Sequence, residues 1–408
     1  RCSRLTATST VLLSRRSELA EMMATEMGKP VTQGVAEIEK CALLCRWYAD
    51  HAPEILRPEK RASAARESHI FHEPQGIILG IMPWNFPFWQ VFRFIIPALT
   101  GGNAALLKHA SNVPLCALAA EEIISASGYP AGLFRTLFPS HDQVARLISD
   151  RRIRGVSLTG SNIAGKKIAA AAGESLRKMV MELGGSDPFI VFPDAQIDRA
   201  VEAALAGRFQ NGGQSCIAAK RIIVHNDIYG EFTDKFLAGA RALRTGDPMD
   251  PATEVGPMVS SDAADDLERQ LDAGIREGAL LLCGGRAGKD HPALFYPAVV
   301  DRVPLTSPLA REETFGPVAP LFSFNTAEEA TELANSTPFG LGATVWTADE
   351  RLAMALAHEI DTGTVAVNGY VKTEPGLPFG GVRESGYGRE LGVEGLREFM
   401  NIKTVNIF

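Results

Sequence analysis

No stretch of the chain holds the roughly 20 consecutive apolar residues that a membrane-crossing helix needs. Cysteine is scarce, with six in 408 residues. They stand at positions 2, 41, 45, 116, 216 and 283, with no CxxC pair and no histidine at zinc-ligand spacing. A structural metal is therefore not expected. A chain of this size needs no disulfide to hold a core, and unpaired thiols suit a reducing, cytoplasmic setting. Positive charge is in deficit, with 41 Lys and Arg against 48 Asp and Glu and a net charge of -7. That balance argues against nucleic acid or an anionic membrane as a partner. The dinucleotide fingerprint GxGxxG is missing, as are repeats and low-complexity tracts.

What remains is an ordinary soluble composition, 46% apolar and 22% charged, long enough for two large domains and a small appendage. Residues 1–17 carry Arg, Ser and Thr and no acid, as transit segments do. A helix is the better reading, because Leu12, Leu19, Met23 and Met27 share one face, Gly28 can end it and Pro30 stops it. Ile38, Cys41, Cys45 and Tyr48 continue the helical pattern, and residues 52–66 turn polar and linker-like. His69-Ile70-Phe71-His72 reads as a strand.

From Gly76 strand and helix alternate. Ile77–Ile81, Ala104–Leu107, Leu133–Leu137 and Gly155–Leu158 are expected strands, and 88–99, 113–127 and 141–149 expected helices. Continuous apolar strands in βα units imply a parallel sheet covered on both faces, with ligands at the carboxyl ends of its strands. Asn85, Lys108 and Ser161 all follow a strand end. A second series begins near Asp187, with strands at 189–192 and 221–224 and helices at 196–209 and 228–243.

Three stretches carry chemistry. In Asn211-Gly212-Gly213-Gln214-Ser215-Cys216 a thiol follows residues that make neither good helix nor buried strand. Free N–H groups there would favour the thiolate. Alone, Cys216 is as readily a small buried hydrophobe. Glu182-Leu183-Gly184-Gly185 sets a carboxylate beside a glycine pair, and Pro83-Trp84-Asn85-Phe86-Pro87 holds an amide in a proline-flanked turn. Nucleophile, base and oxyanion donor are the parts needed for acyl chemistry. In Gly160-Ser161-Asn162-Ile163-Ala164-Gly165, N–H groups at a helix start and the Ser161 hydroxyl can hold a pyrophosphate, with Gly160 and Gly165 letting backbone come close.

Together with Glu26-Met27-Gly28-Lys29-Pro30, Leu158-Thr159-Gly160-Ser161, Glu312-Glu313-Thr314-Phe315-Gly316-Pro317 and Pro378-Phe379-Gly380-Gly381-Val382, these motifs resemble the aldehyde dehydrogenase superfamily over essentially the whole chain. Within it the chain looks most like the succinate-semialdehyde dehydrogenases. The resemblance implies an α/β fold: a Rossmann-like parallel-sheet cofactor domain (1–63 and 75–185), an α/β catalytic domain (186–395) and a small β oligomerisation arm (64–74 and 396–408). It implies several dozen further residues before the first helix in relatives, and a homodimer or homotetramer. It also implies Cys216 as nucleophile, Glu182 as hydrolytic base and Asn85 as oxyanion donor. Trp84, Lys108, Ser111, Glu313 and Phe315 join the glycine segment around an NAD(P) cofactor. Ser111 stands where NAD-strict relatives carry a glutamate, and a serine beside Lys108 accepts a 2′-phosphate that a glutamate would repel. NADP is thus expected to be accepted and preferred over NAD. His109 replaces a more usual proline, with no reading from sequence.

For the substrate, a small-molecule aldehyde, the resemblance places Arg93 at the carboxylate; a structural ion pair is the equal alternative. Gln210 and Gly376 stand where some relatives carry further arginines, and Lys372 and Thr373 offer polar groups from the same loop as Gly376. The expected reaction is succinate semialdehyde to succinate through a cysteine thioester. Broad oxidation of aliphatic aldehydes, or a silent scaffold of the same fold, are the alternatives.

Overall fold

The computed structural model describes residues 1–288 and 290–408. Helices α1 (Cys2–Ser14), α2 (Arg16–Met27) and α3 (Val31–Ile55) open the chain. The expected face is fully buried at Leu12, Leu19 and Met23, but the helix is broken at Arg15, whose N–H returns to the Val11 and Leu12 carbonyls. Gly28 takes the left-handed conformation (φ 79°) that closes α2. The segment expected to be linker from 52 is helical to Ile55 and then enters strand β1 (Glu59–Arg61).

After β2 (Glu67–Pro74) come β3 (Ile77–Met82), α4 (Trp89–Gly101), β4 (Ala104–His109), α5 (Pro114–Ala126), β5 (Phe134–Leu137), α6 (His141–Ser149), β6 (Ile153–Thr159), α7 (Asn162–Glu174) and β7 (Lys178–Glu182). A second series starts with β8 (Asp187–Val191), α8 (Ile197–Phe209), β9 (Ala219–His225), α9 (Tyr229–Ala242) and α10 (Ser261–Arg276). It continues through β10 (Leu280–Arg286), β11 (Phe295–Asp301), α11 (Pro308–Arg311), β12 (Val318–Phe324), α12 (Ala327–Asn335), β13 (Phe339–Gly340), β14 (Gly342–Trp346), α13 (Glu350–Glu359) and β15 (Thr364–Val367). The chain closes with β16 (Val382–Arg383), β17 (Gly386–Tyr387), α14 (Gly392–Glu398) and β18 (Met400–Ile407).

The first sheet has the order β17-β7-β6-β3-β4-β5 and the second β10-β11-β12-β9-β8-β14-β15. Both are parallel except at the edges, where β17 and β10 run antiparallel. The chain leaves β3 toward β5 and returns on the other side at β6, so the carboxyl ends of β3 and β6 flank a switch point suited to a ligand. β7 passes directly through Leu183–Ser186 into β8. The carboxyl edge of the first sheet therefore meets the amino edge of the second, and functional segments gather along that seam.

The small sheet is β1-β2-β18, with β18 paired to β2 from Met400↔Pro74 to Ile407↔Glu67. It includes Glu59–Arg61, outside the expected arm bounds, because β1 caps the free edge of β2. β17, placed from sequence with the second domain, instead covers the outer edge of β7. An otherwise bare strand edge explains why it is recruited there.

Candidate active site

The thiol owes its position to three successive left-handed residues, Asn211 (φ 55°), Gly212 (φ 62°) and Gly213 (φ 69°). Asparagine tolerates this region and glycine enters it freely. At Gly213 a Cβ would also lie 2.5 Å from the Gly316 carbonyl oxygen. This reversal takes the chain from α8 to Cys216, ahead of β9. Arg208, fully buried, donates from Nε to the Val318 carbonyl (2.6 Å) and from its other end to the Thr314 carbonyl (3.1 Å). It thereby fastens the Glu313–Phe315 loop to the cysteine loop.

Asn85, on the turn after β3, donates from Nδ2 to the Gln214 carbonyl (3.1 Å), while Asn211 Nδ2 donates to the Asn85 carbonyl (2.8 Å). Amide and thiol segments are thus bound to each other. Lys220 donates to the Cys216 carbonyl (2.7 Å) and pairs with Glu313 (3.0 Å). Glu313 also accepts the Gly185 N–H (3.1 Å), which brings in the segment that follows Glu182. Four remote stretches of sequence meet here.

Cys216 keeps a partly exposed side toward a cavity of about 360 Å³. Arg93, Gln210, Lys372 and Thr373 line the same cavity. Removal from water pushes the thiol up to about 12, against the pull of Lys220 and Arg93. Glu182 is 1% exposed, and its carboxyl is held well above the usual range by burial, with Arg93 opposing and Glu390 reinforcing. It does not line the cavity but lies against Gly380, where a Cβ would be 2.9 Å from Glu182 Oε1. Neither carboxyl oxygen has a hydrogen-bond partner among the described residues. Its charge reaches the sulfur, with which it makes no hydrogen bond.

Arg93 makes the structural ion pair that is one of its two readings, and it also lines the cavity. Its guanidinium is in contact with buried Glu390, though not aligned for a hydrogen bond, and lies 5.0 Å over the Phe379 ring. Thr373 is buried, while Gln210 and Lys372 are exposed at the rim.

On the cofactor side, Trp84 and Phe315 meet edge to face at 5.8 Å. Lys108 is half-buried at the end of β4, and Ser111 is exposed just beyond. The Ser161 hydroxyl oxygen is taken up as the N-cap of α7, accepting the Ala164 N–H (3.3 Å). Beside it Gly160 has open space where a Cβ would stand, with only Leu158 at 3.9 Å. Gly165 does other work than expected: a Cβ there would be 2.7 Å from Leu183, so it seats α7 on that segment rather than facing a ligand. A half-buried lysine, an uncrowded glycine and a 13-residue helix opening at Ser161 fit an anionic dinucleotide with an extra phosphate.

Sequence reasoning missed His109, Lys40 and Glu37. His109 is buried, with Nε2 on the Pro87 carbonyl (3.0 Å) and Nδ1 near the Ala110 N–H (2.9 Å). Nδ1 also lies 3.2 Å from the Met82 carbonyl, and burial lowers the ring to about 4 against the pull of both carbonyls. It clamps the Asn85 turn to the end of β4. Lys40 lines the cavity, and Glu37 supports it by accepting the Phe88 and Trp89 N–H groups (2.9 and 2.8 Å). Gln33, Glu37 and Lys40 share one stripe of α3, a helical spacing visible in the sequence.

The chain matches the aldehyde dehydrogenase family over residues 1–405. It is 48% identical to the probable NADP(+) succinate-semialdehyde dehydrogenase of Synechocystis sp., over 97% of this chain and 87% of that one. To the NADP(+) succinate-semialdehyde dehydrogenase 1 of Mycobacterium tuberculosis it is 47% identical, over 98% and 88%. The solved structure of the Streptococcus pyogenes succinic semialdehyde dehydrogenase with NADP+ superimposes with a TM-score of 0.97 at 37% identity, covering 100% of this chain and 90% of that one.

Proposed function

The chain belongs to the aldehyde dehydrogenase family, and from that premise we propose that it oxidises succinate semialdehyde to succinate with NADP+. The observation that carries the reading is one cavity in which Cys216 shares the wall with Arg93, Lys40 and Lys372, three cations beside the carboxylates of Glu37 and Glu374. Near-full-length identity with enzymes named for this substrate and cofactor supports it.

In this reading the Cys216 thiol gives up its proton to solvent through the cavity as its sulfur bonds to the aldehyde carbon, and the oxyanion that forms is held by the Asn85 amide and the Cys216 N–H. Such donors contribute about 3–4 kcal/mol each. Ser161 and the start of α7 would hold the cofactor pyrophosphate, Lys108 and Ser111 the phosphorylated ribose, Glu313 the second ribose, and Trp84 and Phe315 the nicotinamide end. The cofactor, when bound, supplies the hydride acceptor. The resulting thioester on Cys216 is hydrolysed by a water that Glu182 deprotonates. Because both Glu182 oxygens lack partners, turning the carboxylate toward that water breaks no hydrogen bond. Burial makes it a stronger proton acceptor than an exposed carboxylate, as removal of a proton from that water requires.

The exposed edge of β18, with Ile402 64% and Ile407 39% exposed, is assigned to pairing with a second copy. Among the described residues no helix is long and apolar enough to cross a membrane, and a cytoplasmic setting remains part of the proposal. The test is a panel of aldehydes with each cofactor. Succinate semialdehyde should exceed butanal in kcat/KM by about 100-fold, the scale of one good charge-assisted contact, and NADP+ should exceed NAD+. Equal turnover of both aldehydes would favour a broad aliphatic enzyme.

A further inference from the structure

We propose that Lys40 is a second anchor for the distal carboxylate of the substrate, so that preference for acidic aldehydes depends on α3 as well as on Arg93. This deepens the proposed function and rests on it.

Cations near the site differ in whether their charge is already answered. Arg93 is in contact with Glu390, Lys29 with Glu37, and Lys220 with Glu313. Lys40 is half-buried on the wall of the same cavity as Cys216, and no carboxylate lies within 4.0 Å of it among the described residues. Its contacts are neutral: Nζ donates to Thr373 Oγ1 and sits 4.3 Å over the ring of Trp89. A hydroxyl and an aromatic face hold the ammonium in place without neutralising it. Lys372, the other unpaired cation of the wall, is exposed and screened by water. An anionic group entering the cavity therefore gains most from Lys40.

The charged and titratable groups facing it are Glu37 and Cys41 on its own helix, Arg93 on α4 and Glu374 in the loop after β15. Burial, aided by Arg93, lowers the ammonium to about 8. Below that pH Lys40 is charged and can hold a carboxylate; above it the contact fades. Dividing kcat/KM for succinate semialdehyde by kcat/KM for butanal cancels the titration of Cys216, which both aldehydes share.

The experiment measures that quotient with NADP+ from pH 6.5 to 9.5 in the full-length wild type, Lys40→Met and Lys40→Arg. The quotient should fall as pH rises through about 8 in the wild type. At pH 7 it should be about tenfold to 100-fold lower in Lys40→Met, mainly through KM for the acid. It should be largely restored and independent of pH in Lys40→Arg. A Lys40→Met quotient equal to that of an acid-preferring wild type overturns the role of Lys40 alone. If Lys40→Met does not fold, a quotient that still falls through pH 8 in Lys40→Arg does the same. A wild type that treats both aldehydes alike overturns the substrate reading itself.

Discussion

At Cys216 burial raises the thiol to about 12, so that thiolate is scarce at pH 7 in the absence of ligand. The alkylation rate of that thiol should therefore climb about tenfold per pH unit between 7 and 9 without a plateau. Iodoacetamide labelling followed by mass spectrometry reads it directly, and a plateau below pH 8 would contradict the burial argument. Replacing Glu182 with Gln keeps the shape and removes the proposed base. Acyl-enzyme should then accumulate, with a stoichiometric NADPH burst and a steady rate down by about 10²–10⁴; full turnover would assign the base elsewhere. Cys216, Glu182 and Asn85 were legible because nucleophile, carboxylate and amide sit in short segments of distinctive composition. Lys40 and His109 were not, since a lone lysine on a helix and a histidine after a strand gain meaning only from what folds against them.

Among elements, α3 and α4 depend on one carboxylate. Glu37 pairs with buried Lys29 and also receives the first free N–H groups of α4. Glu37→Ala leaves an unpaired ammonium and two open donors, and should cost about 3–5 kcal/mol. Adding Lys29→Met should recover part of the loss, and denaturant unfolding of the two variants checks the coupling. The βα rhythm of α4 to α7 was readable from apolar strands and turn residues, and helix α6 matches its expected span of 141–149. The end of α3 was not, because polar residues after 52 suggest a linker while the helix runs on to Ile55. The three left-handed residues before Cys216 were visible only as flexibility; that they form one tight reversal depends on the Gly316 carbonyl, which lies far away in sequence and against which Gly213 is packed.

Across the whole molecule, the meeting of one sheet's carboxyl edge with the other's amino edge explains why the site is built from segments so distant in the chain. Sequence periodicity identifies strands but carries no register between sheets, so the small-sheet role of Glu59–Arg61 and the placement of β17 had no local signature. The outer edge of β18 is the feature with most to lose in isolation. Ile402→Lys with Val405→Lys should shift sedimentation toward the monomer while the secondary-structure content measured by circular dichroism is retained; an unchanged assembly would place the interface elsewhere.

The pairing of Gly386 with Glu182 also imposes an order on biosynthesis. The strand that carries the carboxylate emerges from the ribosome early, yet its outer neighbour is translated some 200 residues later. Until then a nascent chain shows an open strand border beside Glu182, and the first sheet is finished only when Gly386 and Tyr387 arrive.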